Sequence, residues 1–393
     1  MQKIPLSTYK PAILSVLLII LGCTNASGQV LLIPDRWKSE WYEPQPLFNP
    51  DTLSICILGD VMMHGKQIEN THREDDVHDF SSFFRFIEED IRNADLSVAN
   101  MEFTLGGKPY TGYPSFSAPD GFETYLAECG FDIFLAANNH IFDKAAYGAS
   151  RTLEKYRNLH LSHGVSFTGL AGSEEELGRT TPLLLRRKGL KMAFINFTYG
   201  TNQSSGKLWP QTNCLSETQK LDSAFAKCDQ SGADYIIALP HWGVEYQLRH
   251  SKIQESTAQR LVGSGADIVI GTHPHVIQDC QDIDGVQIAY SLGNAVSNMS
   301  AANTQLGLMA IIRIARDQYG HTRILPLTFR YLWCSLPGGY DSSYTVIPVA
   351  EFLGRKDEWQ GTWDYEKMVR TYEHVKRITG IPDCGNEMEF NNE

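Results

Sequence analysis

The 393-residue chain lacks the features of a zinc ribbon, a thioredoxin-like protein or a nucleic-acid binder. None of its eight cysteines belongs to a CxxC pair, which excludes the first two classes. The formal net charge is −12 and no basic patch is present, so we predict no nucleic-acid partner. Internal repeats and low-complexity tracts are also absent. Hydrophobic residues at 42% and charged residues at 20% are typical of a globular protein with an ample core.

The N-terminus lacks an apolar run long enough to span a bilayer comfortably. A basic start followed by the apolar segment Pro11–Leu21 instead predicts a secretory signal. The next residues, Ile20–Cys23, resemble a bacterial lipobox, in which the Cys23 thiol is lipidated and becomes the mature N-terminus. The alternative is ordinary signal-peptidase cleavage near Ala26 or Gly28. We predict an exported protein, anchored to a membrane through Cys23 and facing the periplasm or the cell exterior.

The chain divides into four predicted segments. They are a lipoprotein signal peptide at 1–22, a Trp- and Pro-rich tether at 23–50, one main domain at 51–335 and a C-terminal extension at 336–393. The extension has the spacing of an amphipathic helix at Tyr365–Ile378. Among the remaining cysteines, Cys214 and Cys228 are candidates for a local disulfide in an oxidising compartment.

Short apolar runs alternate with helical patterns through the main domain. Strands are predicted at Leu53–Leu58, Asp95–Ala99, Asp132–Ala137, Tyr235–Leu239, Asp267–Ile270 and Ile288–Ser291. Helices are predicted at Phe83–Arg92, Glu123–Glu128, Ala145–Leu159, Glu217–Cys228 and Ile253–Gly263. This alternation indicates a layered α/β fold with mainly parallel strands. Val165–Phe197 is predicted to be a β-rich insertion with a hairpin that turns at Arg187-Lys188-Gly189.

Polar side chains follow five of the predicted strands, at the point where each strand ends. They include Asp60, Glu102, Asn139, His140, His241, His273 and His275. Because ligands bind outside the carboxyl ends of the strands in an open α/β sheet, these groups are expected to converge on one rim. Nitrogen and oxygen donors without thiolate suit zinc, manganese or iron, and two such ions can share a carboxylate. The sequence therefore predicts a site for one or two divalent metal ions.

Each of these residues also has a purely structural interpretation. An aspartate at a strand end, such as Asp60, commonly caps a following helix. A single histidine such as His241 is commonly a hydrogen-bonded residue at the edge of a core. We favour the metal interpretation because the same placement recurs at the ends of several strands.

The strings that carry these residues resemble the CapA family, which is associated with capsule and poly-γ-glutamate synthesis. The matching strings lie between about Leu53 and Val296 and are GDVMMHG, ANMEFTLGG, LAANNHIFDKAAYG, LPHWGVEY, GADIVIGTHPHVIQ and YSLGN. That family is similar to the calcineurin-like metallophosphatases, so the resemblance implies their layered sandwich fold with the β-rich insertion added to it. The resemblance also implies metal ligation by Asp60, Glu102, Asn139, His241, His273 and His275.

The same resemblance implies a catalytic pair. His140 matches a histidine that stabilises or protonates the leaving group in those phosphatases, and Asp143 is the candidate residue to orient it. Two positions depart from the phosphatase pattern. Met62 stands where a second ligand histidine is usual, and Glu102 stands where an aspartate normally bridges the ions. Two ions, one ion and none therefore all stay open, with His64 as a substitute ligand.

Three functions follow for a protein of this kind. The first is a metal-dependent hydrolase or transferase that acts on an anionic extracellular polymer such as poly-γ-glutamate, within an envelope capsule-synthesis complex. The second is a phosphoesterase that acts on a small ester, and the third is a non-catalytic accessory protein that anchors a polymer. The loop Thr104–Pro119 is expected to lie over the rim, where Lys108 would meet an acidic polymer.

Overall fold

The computed structural model describes residues 52–203, 206 and 208–384. The predicted signal peptide, the lipid anchor at Cys23 and the whole tether 23–50 lie outside these residues, as does the chain after 384. No helix in the described ranges is long and apolar enough to cross a membrane.

Seventeen strands are numbered along the described chain. They are β1 (Thr52–Val61), β2 (Leu96–Met101), β3 (Ile133–Leu135), β4 (Ser166–Thr168), β5 (Leu170–Ala171), β6 (Leu183–Arg187), β7 (Leu190–Thr198), β8 (Gln211–Thr212), β9 (Tyr235–His241), β10 (Ile268–Ile270), β11 (Cys280–Ile283), β12 (Val286–Ala289), β13 (Asn294–Val296), β14 (Leu306–Arg316), β15 (Thr322–Ile324), β16 (Thr328–Ser335) and β17 (Thr345–Pro348).

Nine α-helices accompany them in the same described ranges. They are α1 (Gly65–Thr71), α2 (Glu88–Asn93), α3 (Phe122–Glu128), α4 (Ala145–His163), α5 (Glu174–Thr180), α6 (Thr218–Ser231), α7 (Lys252–Gly263), α8 (Val349–Phe352) and α9 (Thr362–Thr379). Local sequence explains their limits. Ser251 and Gln254 form a capping box at the start of α7, and Gly164 ends α4 in the left-handed conformation at φ 73°.

Two large sheets contain most of the strands. The first has nine strands and runs in the order β17-β16-β14-β1-β2-β3-β4, with β13 beside β1 and β15 beside β14. Its β1, β2, β3 and β4 pair in parallel. The second has six strands in the order β11-β12-β10-β9-β7-β6, with β7, β9, β10 and β12 parallel. Parallel neighbours align their carboxyl ends, so each sheet presents one rim of strand ends.

Three apolar cores separate four layers. Along β1, Ile55 and Ile57 face the core between the sheets, whereas Cys56 and Leu58 face the helices that cover the first sheet, as the two-residue period of a strand requires. Helices α6 and α7 cover the outer face of the second sheet and pack side chains such as Phe225 against it. The order helix, sheet, sheet, helix confirms the layered α/β fold predicted from sequence.

The predicted β-rich insertion requires a correction. Val165–Phe197 does contain the predicted hairpin, with β6 and β7 joined at Lys188 and Gly189. Three of its four strands, however, belong to the sandwich itself, because β4 ends the first sheet and β6 and β7 belong to the second, where β7 pairs in parallel with β9. The fourth strand, β5, pairs with β8 in a separate two-stranded sheet. The segment is therefore part of the scaffold rather than an addition to it.

Other sequence predictions fare differently. Residues 336–384 continue the first sheet through β17, and α9 packs Met368 and Val375 into the core between the sheets. The predicted C-terminal helix is therefore present, at Thr362–Thr379. The predicted helix Phe83–Arg92 is helical only from Glu88. The candidate disulfide is wrong, since Cys214 and Cys228 are both free thiols.

Candidate metal centre

The polar residues predicted from the strand ends meet where the rims of the two sheets face each other. Asp60 lies near the end of β1, and Glu102 directly follows β2. His241 is the last residue of β9 in the opposite sheet. All three side chains are fully buried. The carboxylates therefore come from one sheet and the imidazoles from the other.

The donor atoms form two groups that share Glu102. One group consists of Asp60, Glu102 and His275, and the other of Glu102, His241 and His273. Within each group the three donor atoms lie within 4.8 Å of one another. Such spacing allows one ion to contact all three donors of a group. The predicted arrangement of two metal positions with one common carboxylate is therefore compatible with the geometry.

The first group is organised around Asp60. Its Oδ2 lies 3.3 Å from His275 Nδ1 and accepts a hydrogen bond from the backbone N–H of His273 at 3.2 Å. Its Oδ1 accepts a hydrogen bond from Asn100 Nδ2 at 2.7 Å. Burial lowers the pKa of His275, but its hydrogen bond and charge interaction with Asp60 outweigh this and raise the pKa.

The second group is organised around His241. Its Nε2 lies 2.8 Å from Asn139 Oδ1 and 3.6 Å from Glu102 Oε1, and its Nδ1 lies 3.0 Å from Thr272 Oγ1. Asn139, the one predicted ligand with an amide, thus lies beside this group. The pKa of His241 lies well below its ordinary value, mainly because the ring is buried and secondly because His273 is close to it. The ring is therefore neutral at physiological pH, which is the form that binds a metal.

Several buried polar atoms of the centre have no hydrogen-bond partner within the protein. They are Glu102 Oε1 and Oε2, Asn100 Oδ1 and His273 Nδ1. Burial and the neighbouring Asp60 raise the pKa of Glu102 well above its ordinary value of 4.5. Buried groups of this kind are costly unless something satisfies them. Carboxylate oxygens, an amide oxygen and imidazole nitrogens are the donors that divalent metal ions take, so the residues present fit a divalent cation.

The predicted catalytic pair is formed next to the centre. His140 Nδ1 lies 2.7 Å from Asp143 Oδ2, and both side chains are buried. Asp143 Oδ2 also accepts a hydrogen bond from the backbone N–H of Phe116 at 2.7 Å. The Phe116 ring packs edge-on against the His140 ring at 4.7 Å. The aspartate and the phenylalanine together fix the orientation of the imidazole and leave its Nε2 for proton transfer.

The loop Thr104–Pro119 supplies that phenylalanine and lies against the centre as expected. Ser115 Oγ donates a hydrogen bond to the Asp143 carbonyl at 2.7 Å. Farther along the loop, a Cβ added at Gly112 would come within 2.2 Å of the Gly65 nitrogen, so only glycine allows this approach. The loop is therefore closely packed on the chain around the centre, with Tyr113 exposed on its outer side.

Met62, where a ligand histidine is usual, and His64, its possible substitute, have different surroundings. Met62 is 2% exposed and belongs to the core beneath the helices, so its position contributes no donor. His64 lies between Gln67 and Asn298, with Nδ1 3.2 Å from Gln67 Oε1, and burial lowers its pKa to about 4. His64 belongs to neither group of candidate ligands in the described chain.

Introducing the missing histidine by Met62→His is expected to destabilise the fold rather than complete the centre. The new imidazole would replace a fully packed apolar side chain, with no polar partner at that point of the core. We expect the free energy of unfolding to fall by about 2 kcal/mol or more. Denaturant unfolding checks the loss of stability, and metal analysis of the folded fraction checks that the ion content has not risen. Met62→Leu is the matched control, with a change below about 1.5 kcal/mol.

Sequence reasoning missed two residues at the entrance, Glu245 and Tyr199. The carboxylate of Glu245 forms a further group with His273 and His275, within 4.8 Å. The Tyr199 ring lies 4.5 Å from the His273 ring, and the Tyr246 ring lies 6.4 Å from the His275 ring. Glu245 and Tyr246 belong to the string LPHWGVEY, so this string could have indicated that they lie near the site.

The turn that carries the two histidines has a strained backbone. His273 has φ 100° and His275 has φ 58°, values that residues other than glycine rarely adopt. The carbonyl between them, of Pro274, accepts a hydrogen bond from the Tyr246 backbone N–H at 2.9 Å. Strain of this kind persists only where the surroundings enforce it, and it is concentrated at functional sites.

Comparison with known proteins agrees with the strings identified from sequence. The chain is 28% identical to the capsule biosynthesis protein CapA of Bacillus anthracis over 294 residues, which is 70% of this chain and 68% of that protein. It is 23% identical to the PGA biosynthesis protein CapA of Bacillus subtilis, over 76% of this chain and 77% of that protein. Among solved structures, the Haemophilus influenzae NAD nucleotidase NadN is similar with a TM-score of 0.41 and 11% identity, over 83% of this chain and 68% of that chain. The family model for the bacterial capsule synthesis protein PGA_cap matches residues 54–299, and the chain therefore belongs to this family.

Proposed function

We propose that this chain is an exported protein of capsule or poly-γ-glutamate synthesis that hydrolyses or transfers bonds of an anionic polymer at a metal centre. The observation that carries the proposal is Glu102, whose two buried carboxylate oxygens lie unpartnered between two groups of ligands. The centre would hold one or two divalent ions of manganese, zinc or iron, with Asp60, Glu102 and His275 at one position and Glu102, His241, His273 and Asn139 at the other. A metal ion in this setting acts as a Lewis acid and activates water.

The protein's own residues supply the acid–base step. His140 Nδ1 is committed to Asp143, so Nε2 is the nitrogen that carries a proton to the leaving group. Asp143 keeps the ring in this tautomer. Phe116 limits rotation of the ring. These contacts hold a proton donor in place for an ester or an amide, so the pair alone leaves the bond type open.

The decisive experiment compares turnover in the chelated and the metal-reloaded protein. We expect the reloaded protein to shorten or transfer a γ-linked glutamate polymer and the chelated protein to be inactive. Hydrolysis of a chromogenic phosphodiester at ordinary enzymatic rates, without polymer turnover, would instead support the calcineurin-like phosphoesterase function. Metal binding without turnover of either substrate would support a polymer-anchoring accessory role.

The lipobox at Ile20–Cys23 supports a membrane anchor in the envelope, where the chain would join a capsule-synthesis complex. Labelling by a fatty-acid probe in a bacterial host is expected for the wild type and is expected to be lost in Cys23→Ala. Cys280 is an exposed cysteine of the main domain, so Cys280→Ala is the matched control and should keep the label. Equal labelling of wild type and Cys23→Ala would contradict the anchor.

A further inference from the structure

A separate groove lies between α1 and the first half of the loop Thr104–Pro119. It forms a cavity of about 720 Å³. Its lining combines the basic side chains of His72, His78 and Lys108 with Tyr110 and the apolar Ile68 and Pro109. None of these residues belongs to a candidate metal group in the described chain. The groove is therefore a second cavity with its own chemistry.

The imidazoles of the groove are held by specific contacts. The rings of His72 and His78 meet edge-on at 5.4 Å, and the Tyr110 ring packs against His78 at 5.6 Å. Thr71 Oγ1 donates to the Gln67 carbonyl at 2.9 Å, so it accepts the hydrogen bond from His78 Nδ1 at 3.0 Å. His78 Nε2 is thus left to accept a hydrogen bond when the ring is neutral and to donate one when it is protonated.

The charges around the groove favour an anion. Its one acidic lining residue, Glu69, is paired with Lys66 at 2.7 Å. Lys108 Nζ lies 5.8 Å from the centre of the Tyr110 ring. Burial lowers the pKa of His78, and positive charge on His72 lowers it further.

Two chain segments connect the groove with the metal centre. Helix α1 is capped by His64, whose ring packs against Phe116 beside the centre, and it ends at Thr71 next to the groove. Its seven residues span about 10 Å. The loop runs the same way, from Lys108 in the groove to Phe116. One extended polymer could therefore occupy the groove and the centre together, a few monomers apart.

We propose that this groove binds carboxylate side groups of the acidic polymer whose bond is processed at the metal centre. Lys108 and the two histidines would meet the carboxylates, while Ile68 and Pro109 would pack against the polymer's methylene groups. The inference rests on the proposed function for its polymer. It adds a subsite that holds the chain at a distance from the reacting bond.

The test measures binding of a fluorescent γ-linked glutamate decamer to the full protein at low salt. We expect Lys108→Gln to weaken binding about fivefold and Glu69→Gln to strengthen it, because the two changes alter the local charge in opposite directions. Lys252→Gln, an exposed lysine at the start of α7, should leave binding unchanged. The difference between wild type and Lys108→Gln should shrink as salt is raised.

A pH series adds a second measurement. Because burial lowers the pKa of His78 below 6.5, the ring gains its proton only as the pH falls below that value. Binding should then tighten, because protonated His78 donates a hydrogen bond to a carboxylate, and His78→Gln should reduce this gain. The other charged or titratable groups that face His78 are present in both proteins; they are His72, Arg73, Lys108, Tyr110 and Glu69.

The results separate this subsite from the metal centre. Equal decamer binding by wild type, Lys108→Gln and Glu69→Gln would contradict the proposed role of the groove, even if the metal-loaded protein processes the polymer. Conversely, charge-dependent binding at the groove would support the subsite even if the reloaded protein fails to cut or transfer the polymer, in which case only the catalytic proposal fails.

Discussion

Replacing Glu102 by glutamine is expected to abolish metal binding at both positions and, at the same time, to stabilise the metal-free protein. Glu102 is the carboxylate that the two groups of ligands share, so its loss affects both. In the metal-free protein the same carboxyl is fully buried near Asp60 and makes no hydrogen bond. Removing a buried, unpaired acid relieves this cost, whereas removing it from the metal-loaded centre eliminates a ligand.

Thermal unfolding with and without chelator measures both effects. We expect the chelated variant to melt about 2 °C or more above the chelated wild type. Metal at a hundred times its dissociation constant should stabilise the wild type by about 2.7 kcal/mol and should leave the variant unchanged. The order of the two melting temperatures should therefore reverse when metal is added.

The stabilisation of the metal-free variant should depend on pH. Because burial raises the pKa of Glu102 above 4.5, the folded protein holds this proton more tightly than the unfolded chain does. The metal-free wild type should consequently lose stability as the pH rises above about 4.5, and the variant should lack this loss. Glu123, a buried carboxylate 3.1 Å from Lys155, provides the matched control. Glu123→Gln should lower stability with or without metal and should keep the metal content of the wild type. Equal metal content in wild type and Glu102→Gln would contradict the proposed metal centre.

Replacing Asp143 by asparagine is expected to lower kcat on the polymer about a hundredfold or more while the metal content stays the same. Asp143 Oδ2 accepts hydrogen bonds from both His140 Nδ1 and the Phe116 backbone N–H. An asparagine keeps the size of the side chain but removes the carboxylate that fixes the tautomer of the ring. Acid–base groups typically contribute factors of 10² to 10⁴.

The comparison with His140→Gln identifies the mechanism. Because the two residues act as one unit, the double variant should be no slower than the slower single variant. If Asp143→Asn also lost metal, the aspartate would be supporting the ligands and the assignment of an acid–base pair would be wrong.

Much of the centre could be predicted because its ligands follow strands with clear apolar patterns. Asp60, Glu102 and His241 each come at the end of such a strand. Parallel pairing then places Asp60 and Glu102 on the rim of the first sheet and His241 on the rim of the second. Glu245 and Tyr199 escaped prediction because they follow the strand ends in irregular loops, and no periodic pattern indicates where a loop turns. Their positions depend on the backbone of the neighbouring histidine turn.

The scaffold was predicted less completely than the centre. β7 has an almost continuous apolar sequence, as a strand buried on both faces should. Its place between β6 and β9, however, depends on pairing across more than 40 residues, which composition does not specify. The hairpin with β6 was visible locally and led to the prediction of an added β unit. The parallel partner shows that the same strand helps to build the second rim.

The division of ligands between the two sheets makes metal uptake a measure of completed assembly. Asp60 and Glu102 belong to the first sheet, and His241, His273 and His275 belong to the second, more than 130 residues later in the chain. Contacts between such distant segments form late in folding. An ion can therefore bridge the carboxylates and the imidazoles only after the sandwich has closed. Titration with metal would therefore count the correctly assembled molecules in a preparation.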